Sequence, residues 1–175
     1  METAVFAGGC FWCTEAVFKN LKGVQSTAPG YAGGYVENPT YEVVVEGNTG
    51  HAEAVRIAYD PEKVSYHELL TVFFATHDPT ELNRQGNDVG EQYRSAIFYT
   101  SDEQKEEAEE TVRELRAEGV KVVTQVVPFE TFWEAEEYHH DYFKKNKEAA
   151  YCQLIIAPKV ERIQKRYAEL LKKGK

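Results

Sequence analysis

The stretch HAEAVRIAYDP, residues 51–61, alternates with a period of two, and this constrains the fold more tightly than any other feature. Read as a strand, it puts His51, Glu53, Val55, Ile57 and Tyr59 on one face and Ala52, Ala54, Arg56 and Ala58 on the other. Asp60-Pro61 closes it as a turn. On either side, strand-like and helix-like segments take turns. TAVFA, residues 3–7, reads as a short buried strand broken by Gly8 and Gly9. Phe11, Val17, Phe18 and Leu21 then approximate a helical stripe that Gly23 ends. Ser65 caps a helix running through Thr76, with Glu68 completing a capping box. SAIFYT (95–100) is a strand, Ser101 or Asp102 caps a Glu/Lys-rich helix ending near Gly119, and VKVVTQVVP (120–128) is a strand. Residues 131–146 read as helical, and 158–173 as a terminal helix. Two long loops interrupt this order: residues 24–50, with one short strand at Tyr41–Val45, and residues 77–94. The alternation predicts helices packed on one face of a small sheet.

At 175 residues the chain fits one domain, with residues 158–175 as a helical extension, and can bury a core without disulfide staples. Its formal charge of −9 argues against nucleic acid and against anionic membranes, both of which select Lys/Arg surfaces. No apolar run approaches a membrane span and no signal peptide is readable, so the expected location is cytoplasmic. The Glu-rich helix over 102–118 reads as a solvated face.

The chemistry concentrates in GGCFWC, residues 8–13. Strand, Gly-Gly, helix puts Cys10 at a helix N-terminus, where unpaired N–H groups favour an anion, so this thiol is expected to ionise readily. Cys13 follows one turn on, and its sulfur can face the same side. Phe11 and Trp12 are either core aromatics or the wall of a pocket for a small apolar group carrying one polar atom. One C-x-x-C supplies at most two zinc ligands; Cys152, His139 and His140 do not complete a common zinc spacing, and the two histidines read as helix surface or satisfied core. Glu53 shares a face with Val55 and Ile57, so a partly buried, neutral carboxyl that acts as a general acid is one reading. The other is a strand-end glutamate reaching water beside Arg56 or Arg94. Tyr31, Tyr35 and Tyr41 decorate the first loop, and Asp88 and Tyr93 end the second, as polar groups able to converge or as packing and turn residues.

These blocks resemble a known family. GGCFWC, GYAGGYVENPTY, GNTGHAEAVRIAYDP, HDPT, RQGNDVGEQYRSAIF and a late YCQ occur in the order typical of peptide methionine sulfoxide reductase A, from about Val5 to Cys152. The resemblance implies an α+β domain with a ferredoxin-like core (an α/β plait), a mixed or antiparallel sheet, long loop excursions and a C-terminal helix. It implies reduction of the S epimer of methionine sulfoxide, free or in oxidised proteins, by a monomer restored by thioredoxin, with no metal or organic cofactor. Carried over position by position, Cys10 is the attacking thiolate, Phe11 and Trp12 hold the substrate methyl group, and Glu53 protonates the sulfoxide oxygen. Tyr41 and Tyr93 bond that oxygen or its water, Asp88 sets the polar network, and Cys152 stands at the resolving position.

The chain departs from the commoner pattern at Cys13, where many relatives have Gly, and in a tail that has no cysteine after Cys152. Cys13 is then a recycling thiol or resolves Cys10 directly. The expected order is Cys10–Cys152 first, then Cys13–Cys152, because a Cys10–Cys13 bond inside a helical turn would require unwinding. Two other readings remain at this point: a general C-x-x-C disulfide oxidoreductase and a zinc-stabilised binding module.

Overall fold

The computed structural model describes residues 1–172; the last residue of the expected terminal helix, Lys173, and the two after it lie outside the described residues. The alternating stretch forms β3 (Ala52–Tyr59), which pairs antiparallel with β1 (Glu2–Gly8) on one side and β2 (Val24–Ala32) on the other. β1 pairs antiparallel with β6 (Ser95–Tyr99), and β6 pairs parallel with β7 (Gln125–Pro128). A short β8 (Phe132–Glu134) closes the far edge on β2, giving the order β7-β6-β1-β3-β2-β8. Between them run α1 (Phe11–Lys19) after β1 and α3 (Tyr66–Ala75) after β3. The unit β1-α1-β2-β3-α3-β6, with its strands in the order β6-β1-β3-β2, is the expected plait, extended at both edges into a six-stranded mixed sheet.

The faces of β3 are those that the alternation predicts. Val55, Ile57 and Tyr59 enter the large core under α1 and α3, with Phe6, Phe18, Leu69, Leu70 and Phe73. Ala52 and Ala54 join Val5, Ala7, Ala32, Ala96 and Phe98 on the opposite side, where Phe129 and Phe132 pack against them. Each fully buried Leu, Ile or Phe contributes roughly 1.5–3 kcal/mol relative to exposure. The capping box at α3 is present: the Glu68 N–H donates to Ser65 Oγ at 3.0 Å, and the Ser65 N–H donates to Glu68 Oε1 at 3.1 Å. α4 (Asp102–Ala117) is capped by Ser101, whose side chain accepts from the Gln104 N–H.

Five segments differ from expectation, the first being the strand expected over 120–128, of which only β7 (Gln125–Pro128) forms. Residues 24–32, read as irregular, are the nine-residue β2. Gly30 is needed there, because a Cβ at that position would fall on the Phe132 ring and the Trp133 carbonyl of β8. Tyr41–Glu46 is a helix, α2, not a strand: the Thr40 hydroxyl accepts from the Val43 N–H at 3.3 Å, Gly47 (φ 85°) ends it, and only Val44 of its residues is buried. Residues 131–146 are not one helix but β8, a 3-10 turn at Glu137–His139 and the short α5 (Tyr142–Lys145). The terminal helix begins with a π turn at Cys152–Ile156, continues as α6 (Ala157–Arg166), and gives way to a 3-10 turn at Ala168–Leu170. Within the second loop, β4 (Arg84–Gln85) and β5 (Asp88–Val89) form a small hairpin. No helix among the described residues is long and apolar enough to cross a membrane.

Candidate active site

α1 starts directly behind β1, and the chain turns at Gly9 with φ 100°, a conformation that costs a side-chain-bearing residue far more than glycine. This makes Cys10 the N-cap, with extended backbone (φ −60°, ψ 127°) and a buried side chain. Glu53 arrives from β3, 1% exposed, and its Oε1 accepts the Phe11 N–H at 3.2 Å. The carboxyl therefore occupies the helix end that the sequence suggests for an anion, next to the Cys10 sulfur. Its Oε2 is buried without a hydrogen-bond partner among the described residues.

Burial pushes Glu53 up to about 8, against the Phe11 N–H and aided by the nearby Asp88 and Cys13. At pH 7 the acid form then outnumbers the carboxylate by about ten to one. The reading of Glu53 as a water-exposed partner of arginine does not hold. Arg56 lies on the other face of β3, over the Phe132 ring at 4.9 Å, and Arg94 donates to the Gly50 and Glu91 carbonyls.

The expectation that Cys10 ionises readily is also corrected. Burial pushes its thiol well above the usual range, with the hydrogen bond to Cys13 and the charge of Glu53 adding. The helix start opposes this through the Trp12 N–H but does not outweigh desolvation. The more acidic member of the pair is Cys13, brought down to about 7 by the hydrogen bond from Cys10 and by the Lys159 ammonium, against burial. An oxidoreductase of the general C-x-x-C type needs an exposed, acidic first thiol, and Cys10 is neither.

The aromatic pair splits into a floor and a rim. Phe11 is fully buried and packs on Tyr31 (centroids 5.6 Å), His139 (5.0 Å) and Tyr41 (6.4 Å). Trp12 stacks on Tyr142 at 3.7 Å and meets Tyr151 edge-on at 5.7 Å. Its Nε1–H donates to His139 Nδ1 at 2.9 Å, which fixes the neutral His139 with its proton on Nε2. His139 is fully buried, and burial holds its pKa down. Of the two readings of the double histidine, satisfied core applies at Nδ1 of His139. Among the described residues no three His, Cys, Asp or Glu side chains are arranged to hold a metal ion.

Tyr41 and Tyr93 both have pKa values raised by burial and then by Glu53, with Cys10 also contributing, so their hydroxyls stay protonated beside the thiol and the acid. Asp88, on β5, accepts the Tyr151 hydroxyl at 2.8 Å, and that same oxygen lies 3.7 Å from Cys13 Sγ. Cys152 is fully buried in the π turn packed on α1; burial and the neighbouring Cys13 push its thiol up. Tyr31 is also fully buried and donates to Glu136 Oε1 at 2.9 Å, while Tyr35 is 73% exposed and bonds the Asn48 carbonyl, away from the site.

Three contributors escaped the sequence reading. Glu136 binds the Tyr31 hydroxyl with one oxygen and the Tyr41 N–H with the other at 3.0 Å, tying α2 to β2. Tyr142 and Tyr151 close around Trp12 from far along the chain. The only sequence signal for them is the aromatic density of EEYHHDYF and AAYCQ.

The result is a buried thiol beside a neutral carboxylic acid, two phenols and an aromatic wall: a site for a small apolar group bearing one basic oxygen. Residues 2–171 match the family described as peptide methionine sulfoxide reductase. The chain is 58% identical to a peptide methionine sulfoxide reductase MsrA of Sulfolobus acidocaldarius over 97% of both chains. Its fold superposes on Mxr1 of Saccharomyces cerevisiae in reduced form with a TM-score of 0.80 at 34% identity, covering 86% of this chain and 88% of that one. It also superposes on the same yeast protein in complex with Trx2 with a TM-score of 0.57 at 26% identity, covering 81% and 84%. Sequence, fold and site agree, and this chain belongs to the peptide methionine sulfoxide reductase family.

Proposed function

We propose that this single-domain chain reduces methionine sulfoxide to methionine, free or in oxidised proteins, with thioredoxin restoring its thiols; the Trx2 complex of its yeast relative supports that partner. The observation that carries the assignment of roles is the neutral, half-satisfied Glu53 carboxyl at the start of α1, beside Cys10.

A sulfoxide oxygen leaves only once protonated. Glu53 Oε2 is the acid, and the Tyr41 and Tyr93 hydroxyls donate to the same oxygen as charge develops. Phe11 and Trp12 take the methyl group, and Asp88 orients the Tyr151 side of the pocket. The partial positive charge on the bound sulfur lowers the Cys10 thiol that burial had raised, so the nucleophile ionises when substrate is present. Cys10 attacks sulfur, Glu53 protonates oxygen, and methionine departs, leaving Cys10 as a sulfenic acid. The thiol proton of Cys10 replaces the one that Glu53 gave, so no proton is consumed. A second thiol condenses with this sulfenic acid to a disulfide on Cys10, releasing water, and thiol–disulfide exchange then frees Cys10 and leaves a Cys13–Cys152 bond that an external dithiol reduces.

The resemblance in sequence supports the S epimer as substrate, and three thiols in a chain without disulfide staples suit the cytoplasm. The test supplies each epimer of methionine sulfoxide with a dithiol reductant and measures methionine. The S epimer is turned over and Cys10→Ser abolishes turnover; full activity of that variant refutes the assignment.

A further inference from the structure

We propose that the groove between α1 and α5 is a subsite for an acidic side chain of the oxidised polypeptide, with Lys144 and Lys147 as its recognition residues. Methionine sulfoxide with Asp or Glu about two or three residues away is then the preferred protein-bound substrate. The inference rests on the reading of this chain as a methionine sulfoxide reductase and adds the class of sequence that it selects.

The groove starts at the site itself. Trp12, which walls the methyl pocket, also lines a cleft of about 370 Å³ together with Ala16, Lys19 and Asn20. With Glu15, these positions follow the i, i+3, i+4, i+7, i+8 spacing of one helix face. Opposite them stand Asp141, Phe143, Lys144 and Lys147, on and around α5. From Trp12 to Lys19 the helix rises about 10 Å. An extended peptide covers that distance in about three residues. A polypeptide whose sulfoxide methyl rests on Trp12 thus has its neighbouring residues within reach of the cleft. Phe143, packed against the core, gives the cleft an apolar surface for the methylenes of an incoming side chain.

The charges in the cleft are not balanced. Both of its acids are engaged within the chain. Glu15 is buried; one carboxyl oxygen accepts the Asp141 N–H at 2.6 Å and the other accepts the Thr27 hydroxyl at 3.0 Å. Asp141 pairs with Lys19 Nζ at 2.9 Å. These bonds also hold the wall in place: Asp141 sits at φ 57°, and Tyr142 after it stacks on Trp12 at 3.7 Å.

Lys144 and Lys147 are exposed and form no ion pair among the described residues. FKKNK, residues 143–147, puts three lysines in five positions of a chain whose formal charge is −9. Such a chain repels an acidic polypeptide over most of its surface. A cationic wall beside the site then favours the approach that brings the sulfoxide to Cys10.

The test compares capped peptides that carry methionine S-sulfoxide, with Glu or Gln two or three residues to either side, and dithiothreitol as reductant. The better-placed Glu peptide is expected to show about three- to tenfold higher kcat/KM than its Gln counterpart, through KM, because each exposed ion pair contributes about two- to fivefold. In the Lys144→Gln, Lys147→Gln variant that preference is expected to disappear. In Lys144→Glu, Lys147→Glu it is expected to pass to peptides with Lys in the same place. N-acetyl-methionine S-sulfoxide amide is too short to reach the lysines, and both variants are expected to reduce it at the wild-type rate.

No preference for Glu at any position, or a preference that survives in the Gln variant, overturns the subsite. An effect of the Gln variant that appears only when thioredoxin replaces dithiothreitol assigns the lysines to the contact with thioredoxin and overturns it as well. Failure of the wild-type chain to reduce the capped amino acid would instead overturn the reading of the chain as a methionine sulfoxide reductase.

Discussion

Replacing Glu53 by Gln removes an acidic proton while keeping the shape of the side chain and an oxygen for the Phe11 N–H. The carboxyl titrates near 4.5 in an ordinary setting and at about 8 in the fold, because it is 1% exposed and one of its oxygens is unpartnered. The folded protein thus keeps a proton that the unfolded chain releases. This contribution to stability is fully present below pH 4.5 and is lost as pH rises to 8. At about 1.4 kcal/mol per pKa unit, the loss is roughly 1 kcal/mol at pH 5, about 3 at pH 7 and about 4 at pH 8. Glutamine has no proton to lose, and any fixed change in packing or hydrogen bonding adds the same offset at every pH. Urea unfolding of both proteins at pH 5, 7 and 8 is therefore expected to show the variant gaining on the wild type by about 3 kcal/mol between pH 5 and pH 8. Sulfoxide reduction by the same variant is expected to fall by about 10²–10⁴ for want of the general acid. A stability difference that stays constant from pH 5 to 8 would refute the buried, neutral carboxyl on which the mechanism depends.

Three further outcomes follow from other parts of the site and its frame. Trp12→Phe loses the Nε1–H bond to His139 and part of the stack on Tyr142, and steady-state kinetics are expected to show KM rising more than kcat falls. Gly30→Ala drives a methyl group into Phe132 and the Trp133 carbonyl, so thermal unfolding should show a loss of about 2 kcal/mol or more. His77, half-buried between the Phe73 carbonyl and Ser95 Oγ, is lowered from 6.5 to about 4 by desolvation of its ring, so its contribution is present above pH 6.5 and lost as pH falls through 4. Acid unfolding of His77→Gln should lack that loss, about 3 kcal/mol across the window.

What the sequence made legible was local. The period of two in β3 fixes which side chains face the helices and so places Glu53, and the Gly-Gly break places Cys10 at the start of α1. The capping boundary of α3 is readable for the same reason, since Ser65 and Glu68 lie within one turn. β2 was hidden because VQSTAPGYA has neither strong alternation nor a β-branched run; it is a strand because β3 and β8 pair with both of its edges. Three consecutive valines pointed the other way in α2, where a cap at Thr40 and a stop at Gly47 outweigh strand propensity. The ionisation of Cys10 was misjudged because a helix N-terminus is visible in sequence and burial is not. The closing of Trp12 by His139, Tyr142 and Tyr151 depends on contacts spanning most of the chain, which no local pattern announces.

The central claim is that Cys10 takes the sulfoxide oxygen and that Glu53 delivers the proton. Its most direct measurement is a single turnover of the Cys13→Ser, Cys152→Ser double variant, which has no thiol left to resolve Cys10. One equivalent of methionine per chain is expected, with a dimedone-trappable sulfenic acid on Cys10, and a slow yield of both when Glu53→Gln is added. Methionine formed without label on Cys10, or formed at an unchanged rate without Glu53, would contradict it.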